Sequence, residues 1–338
     1  MGFSDIFDRD IVVLGDADPC AVISNPVDFF DRKKLISVLR HCRAWQGSEQ
    51  DEPHSDYELF RALTEARNVM AGHREVQFLD YLLKNIFSVD LSAFCGNCKD
   101  IWTKCVDDLL KKRLTILDLE QSLGLEKGIL CVTNQHDCLN AMQGILPILN
   151  ANSFLNTTAR DWDTWSKEMQ EALNCYAHRG SDVVYLDLPM EYKFVMPNLY
   201  DVNKALNMPE QKRNSNLLLS QIMRFLADCK KTYTLVLRVE CAPTEVISLL
   251  SRIEQSVGLP NILWVTPYAH TRDALLEFAT LEHKNQFAPI LFSSDFPSDI
   301  ELDCALNAYS ARYPAEHLYL FSGCDIRYHA YEKSRIKE

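Results

Sequence analysis

The chain has 338 residues, 47% hydrophobic and 24% charged, with a formal net charge of −12. That is the balance of a globular chain long enough to bury a large core. Its acidic surface repels phosphate backbones and anionic headgroups, which argues against nucleic-acid and membrane partners.

No apolar run approaches the ~20 residues that span a bilayer. The opening stretch, with Asp5, Asp8 and Asp10, lacks the basic start of a secretory signal. The twelve cysteines therefore read as reduced thiols of a cytoplasmic chain. Those inside apolar runs, Cys131 and Cys241, read as small core residues.

The first apolar run, Ile11-Val12-Val13-Leu14, is short and β-branched and predicts a buried parallel strand. A long helical block follows. Helical spacing is predicted over Phe29–Cys42, Asp56–Met70, Val76–Phe87, Ala93–Leu110 and Asp118–Leu123, with a polar loop over Ala44–Asp56. In the second of these, Tyr57, Phe60, Leu63 and Val69 form the apolar stripe. The block is too long for an ordinary connection, so residues 28–125 read as a helical insertion within one domain spanning 1–338.

From Ile129 onward strands and helices alternate. Strands are predicted at Ile129–Val132, Ile145–Leu149, Val183–Leu188, Leu235–Val239, Ile262–Val265, Ile290–Ser293 and Leu318–Phe321. Helices are predicted at Asp161–His178, closed by Gly180, and at Ser215–Cys229, Pro243–Val257, Thr271–His283 and Asp299–Ala311. The stretch with Pro189, Pro197 and Pro209 reads as a loop. With the first, these make eight strands and predict an α/β fold, a (β/α)8 TIM-like barrel with a helical insertion after strand one. An open doubly wound sheet is the alternative, weakened because no G-x-G-x-x-G turn follows any strand.

In such a barrel the chemistry sits just past the C-terminal ends of the strands. Those places hold Leu14-Gly15-Asp16, Asn134, Asn150, Leu186, Arg238 and Asp325, and none is a histidine. Asp16, Asp18, Asp187, Glu240, Asp295 and Asp325 would gather carboxylates at the mouth, fit for a hard cation or for capping turns. Arg238 needs a carboxylate partner, and Glu240 or Asp325 could serve. His136, His270 and His329 lie on loops beyond strands and read as solvent-exposed. Cys95-Gly96-Asn97-Cys98, near Cys105, has the spacing of a redox or zinc pair but lacks the second pair or histidines a zinc site needs.

Several segments, taken in order, resemble the uronate isomerases of the amidohydrolase superfamily. They are Ser55-Asp56-Tyr57-Glu58-Leu59-Phe60, Gly72-His73, Ile101-Trp102, Ile145-Leu146-Pro147, Tyr176-Ala177-His178-Arg179-Gly180, Leu259–Pro267 and Phe321–Arg327. The resemblance implies a distorted (β/α)8 barrel and a metal-assisted aldose–ketose isomerisation of glucuronate or galacturonate. It implies a catalytic role for Asp325, with Arg327 keeping the D-x-R spacing, and matches Arg40 and Arg43 to the substrate-binding W-R-A-M-R segment.

The departures lie at the strand ends. The metal-binding H-x-H aligns with Leu14 and Asp16, and R-P-D-K with Asn150-Ala151-Asn152-Ser153. The histidine of S-D-H-G-L aligns with Leu186 and that of strand five with Arg238.

The expectation is a catalytically degenerate uronate-isomerase-like protein with a binding or scaffold role, no cofactor and no metal. The candidate pocket residues are Asp16, Arg40, Arg43, Asp187, Arg238, Glu240 and Arg327. The alternative is an active isomerase with a rebuilt site, in which Asp16, Asp187, Arg238 and Asp325 hold Zn²⁺ or Mn²⁺, or a small sugar acid. Partners under these readings are a sugar acid, another protein or a second copy of the chain.

Overall fold

The structure is a computed structural model. It describes residues 10–13, 21–41, 55–89, 97–115, 118, 129–133, 145–189, 191–229, 233–239, 262–265, 287–290 and 324–325, and single residues 252, 255, 298, 300, 301, 303, 304, 307 and 331. The chain divides into two compact units. One comprises residues 14–126, 296–303 and 324–338, the other residues 1–13, 127–295 and 304–323.

The first unit is helical. Asn25 and Asp28 form a reciprocal cap on the 3-10 turn Pro26–Phe29, and α1 (Arg32–His41) buries Leu35, Ile36 and Leu39. Helix α2 (Asp56–Ala66) begins with a capping box, in which the Ser55 side chain accepts from the Glu58 N–H and Glu58 reaches back to the Ser55 N–H. This S-x-x-E step is why the chain turns helical at Asp56. The expected stripe holds at Phe60 and Leu63 but ends with the helix, and Val69, beyond it, is 75% exposed.

Helix α3 (Arg74–Tyr81) runs into a wider π-turn at Leu82–Ile86. Helix α4 (Cys98–Lys112) stops at Arg113, whose backbone is left-handed. Phe29, Phe60, Phe78 and Phe87 are fully buried. Trp102 packs its ring 5.4 Å from Phe60 and 5.8 Å from Tyr57. Tyr331 lies 5.9 Å from Phe78 and 5.5 Å from Tyr81, ring to ring, and so ties the far end of the chain to α3.

Glu75 on α3 is a buried charge with compensation. His73 Nδ1 lies 2.7 Å and Lys34 Nζ 3.7 Å from its carboxylate. Burial pulls this carboxyl up; the His73 hydrogen bond and the Lys34 charge outweigh it and hold the group below its ordinary 4.5.

The second unit is built on parallel strands: β1 (Asp10–Val13), β2 (Ile129–Thr133), β3 (Ile145–Asn150), β4 (Val183–Leu188), β5 (Thr234–Val239), β6 (Ile262–Val265) and β7 (Phe287–Ile290). Each pairs in parallel with the next in sequence. Within this unit the order is β7-β6-β5-β4-β3-β2-β1; the short strand β8 (Cys324–Asp325) falls in the helical unit. The sheet is thus a sequential parallel one, and among the described residues of this unit no pairing closes it on itself. The predicted strands at the first six positions are present, and the seventh, predicted at Ile290–Ser293, is described at Phe287–Ile290 and meets the prediction at Ile290, with 291–293 outside the described residues. The eighth lies at Cys324–Asp325; the run Leu318–Phe321 falls outside the described residues.

Parallel neighbours need crossovers, and helices supply them. Helix α5 (Trp162–Ala177) is capped by the Asp161 side chain and buries Trp165, Met169, Leu173 and Tyr176. Gly180 sits two residues past its C-cap with φ +84°, a conformation that suits glycine.

The proline-rich stretch expected to be a loop contains a helix, α6 (Leu199–Leu206), and a 3-10 turn at Glu210–Lys212. Here the prolines bracket the helix. Pro197 precedes the N-cap Asn198 and Pro209 follows the C-terminal end, so both punctuate it without breaking it. Helix α7 (Ser215–Asp228) follows, N-capped by Asn214.

Leu149, Val184, Leu186, Leu188, Leu235 and Leu237 from the strands share one core cluster with Trp165, Met169 and Leu173 of α5 and Leu219, Ile222 and Met223 of α7. This is the layer between sheet and helices.

The Glu75 arrangement predicts an acid limb. A carboxyl lowered on folding contributes stability that is present above its unfolded value and is lost as pH falls through its folded value. Wild-type stability to denaturant should therefore fall below pH ~4.5, and Glu75→Gln should be less stable at neutral pH and show a shallower acid decline.

Candidate functional site

Side chains alternate along a strand, and residues paired in parallel register share a face. Leu149 pairs with Val184, Val184 with Leu235, and Leu186 with Leu237, and all lie in the cluster packed on the helices. The other set is Asn150 paired with Tyr185, and Asp187 paired with Arg238. These residues occupy the opposite face at the C-terminal ends of β3, β4 and β5.

Leu186, which the sequence aligns with the S-D-H-G-L histidine, is fully buried in the cluster packed on the helices. The strand-end polar positions on β4 are Tyr185 and Asp187.

These residues form one network. The Tyr185 hydroxyl donates to Asp187 Oδ1 at 2.8 Å. Arg238 Nε lies 4.0 Å from the same oxygen, and its positive charge acts on the Tyr185 phenol. Tyr185 is only 1% exposed. Burial, with the Asp187 charge beside it, holds its phenol far above the ordinary value against the opposing pull of Arg238. Tyr185 is thus a fixed neutral donor.

Behind it, β3 turns away after Asn150 into the 3-10 segment Ala151–Asn156. The Asn152 side chain takes over the pairing that the β3 backbone abandons. Its Nδ2 donates to the Asp187 carbonyl at 2.8 Å, and its Oδ1 accepts from the Asp187 N–H at 2.7 Å. The Asn150 Oδ1 in turn accepts from the Asn152 N–H at 3.0 Å, which fixes the turn. A primary amide acts here as a substitute peptide group and pins the backbone that carries Asp187.

Of the sequence candidates, Asp187 and Arg238 are brought together. Glu240 lies outside the described residues, and the carboxylate described beside Arg238 is Asp187. Asp16, Arg43 and Arg327, like His136, His270, His329 and Cys95, also lie outside the described residues. Asp325 is placed as a backbone position on β8, and Arg40 is half-buried in the last turn of α1.

Tyr185 and Asn152 were missed as site residues, although the two-residue alternation from Asp187 back to Tyr185 is a signal that finds the tyrosine. Cys98 starts α4, but burial raises its thiol and Cys105 is pushed up to about 12, the reverse of what an activated thiolate needs.

At the ends of β3–β5 the described side chains do not assemble a divalent-metal site. One carboxylate is present at the ends of β3–β5, it already accepts from Tyr185, and a guanidinium stands beside it. A second cation there would meet like charge. Among the described residues no three His, Cys, Asp or Glu side chains converge as a metal set, and no helix among them is long and apolar enough to cross a membrane.

The class defined by fold and site is a sequential parallel α/β protein with a polar cluster at its C-terminal strand ends. No family model matches the chain, and no curated protein matches its sequence. Solved structures do. Uronate isomerase from Thermotoga maritima superposes with a TM-score of 0.65 at 11% identity, over 96% of this chain and 85% of that one. Glucuronate isomerase from Caulobacter crescentus gives 0.63 at 12% identity, over 99% and 88%. The chain is therefore similar in fold to uronate isomerases along nearly its whole length.

Two substitutions test the geometry. Asn152→Ala leaves the Asp187 N–H and C=O without these partners and should cost about 1–3 kcal/mol in denaturant unfolding. Leu186→His should bury an imidazole among helix side chains. It should destabilise by more than ~2 kcal/mol and confer no stoichiometric Zn²⁺ binding.

Proposed function

We propose that this chain is a (β/α)8 barrel of the uronate isomerase kind that has lost metal-dependent isomerisation and uses its strand ends to bind a small polar ligand. Aldose–ketose isomerisation needs a base beside the carbonyl carbon and a cation holding the oxygens. The observation that carries the reading is Arg238. Its guanidinium stands 4.0 Å from Asp187 on the neighbouring in-register strand, so the one described strand-end carboxylate is committed to an organic cation of the protein itself.

The fold of the neighbours supports a retained barrel scaffold. The network of Asn152, Tyr185, Asp187 and Arg238 supports a retained, ordered polar surface where such barrels bind their ligands.

The test is turnover of glucuronate and galacturonate by folded protein supplied with Zn²⁺ or Mn²⁺. The expected result is no ketose product above the enzyme-free rate. Product that disappears in Asp325→Asn would overturn this reading in favour of an active isomerase with a rebuilt site.

A further inference from the structure

We propose that the end of β4 and β5 is a recognition site for a small zwitterion, an α-amino acid, whose carboxylate is taken by Arg238 and whose ammonium is taken by Asp187. The inference rests on the reading of these strand ends as a binding surface, and it names the ligand class.

The first observation is the charge pattern. Asp187 and Arg238 face the same side at one register step. The described cluster thus presents one full negative and one full positive charge side by side, with Tyr185 a neutral donor. An α-amino acid carries the same two charges a few bonds apart in mirrored order. It can exchange the protein's internal pair for two intermolecular pairs and leave no charge unmatched. A sugar acid or simple carboxylate can satisfy Arg238 but brings a second negative charge close to Asp187.

The second observation is how the pair is held. At 4.0 Å it sits at the outer limit of an ion pair, and its side chains are 46% and 27% exposed for Asp187 and Arg238. Pairs of that kind contribute about 0–1 kcal/mol to folding. Yet polar groups are spent on orienting it. Tyr185, 1% exposed, donates to the Asp187 carboxylate, and the half-buried Asn152 side chain holds both the N–H and the C=O of the Asp187 backbone. Preorganised charges with little value for stability fit a ligand site, where the ordering cost is met before binding.

The guanidinium fork suits a carboxylate. The half-exposed carboxylate of Asp187 suits an ammonium.

The test uses the full chain and a panel of the standard L-α-amino acids. Binding is read by thermal shift and then by calorimetry. Each binder is compared with its des-amino acid and its decarboxylated amine.

The expected result is that at least one amino acid binds and that each single-charge analogue binds about tenfold or more weakly. Asp187→Asn should erase the preference for the amino acid over the des-amino acid. Arg238→Gln should erase the preference over the amine. No binder in the panel, or equal binding of an amino acid and its des-amino acid, would overturn the proposal; this comparison needs no variant to fold. Ketose production from glucuronate is a separate readout, which would overturn the loss of isomerisation whatever the panel shows.

Discussion

A parallel strand gives its side chains to two layers in strict alternation, and neighbours in register inherit the same assignment. Everything distinctive at the polar end of this sheet depends on that constraint. Once Leu186 is committed to the layer with Trp165 and Met169, Tyr185 and Asp187 must stand on the other side. Register then delivers Asn150 beside Tyr185 and Arg238 beside Asp187. A slip of one residue would exchange leucines for charges on both faces at once. The apolar packing against α5 and α7 therefore fixes the positions of the polar groups as firmly as their own hydrogen bonds do.

The two units treat charge differently. Glu75 is almost wholly buried, and its partners His73 and Lys34 are close enough to outweigh its desolvation. Removing a partner there would leave a buried charge uncompensated, so that pair belongs to the architecture. Asp187 and Arg238 are partly open to water and loosely spaced. What is buried beside them is the neutral Tyr185, whose phenol stays protonated. Burial thus falls on the group that can bear it without ionising, and the ionised groups keep access to solvent.

Much of the architecture was legible because it rests on local rules. Short apolar runs marked the parallel strands, the apolar spacing of Phe60 and Leu63 marked α2, and Gly180 marked the end of α5. Helix α6 was not legible, since prolines on both sides of a short helix look like a loop when their positions relative to the caps are unknown.

The site was half legible. Asp187 and Arg238 stood out as charges at strand ends, but which charge meets which is a matter of register, and a sequence does not print register. Asn152 was invisible as a positioning group because its role exists only where the β3 backbone leaves the ladder. An asparagine in a turn gives no sign that its amide will stand in for a peptide bond.

The same distinction bears on the likeness to the uronate isomerases. At 11% and 12% identity the shared quantity is the spatial order of the elements, which apolar alternation preserves while the residues themselves change. Strand-end positions open to solvent on the polar face, such as Asp187 and Arg238, are under less packing constraint, so they can change chemistry with less disturbance to the fold. An arginine on β5 facing an aspartate on β4 is a complete electrostatic arrangement in itself. It requires no metal for neutrality, and it places a guanidinium where an added divalent cation would be repelled.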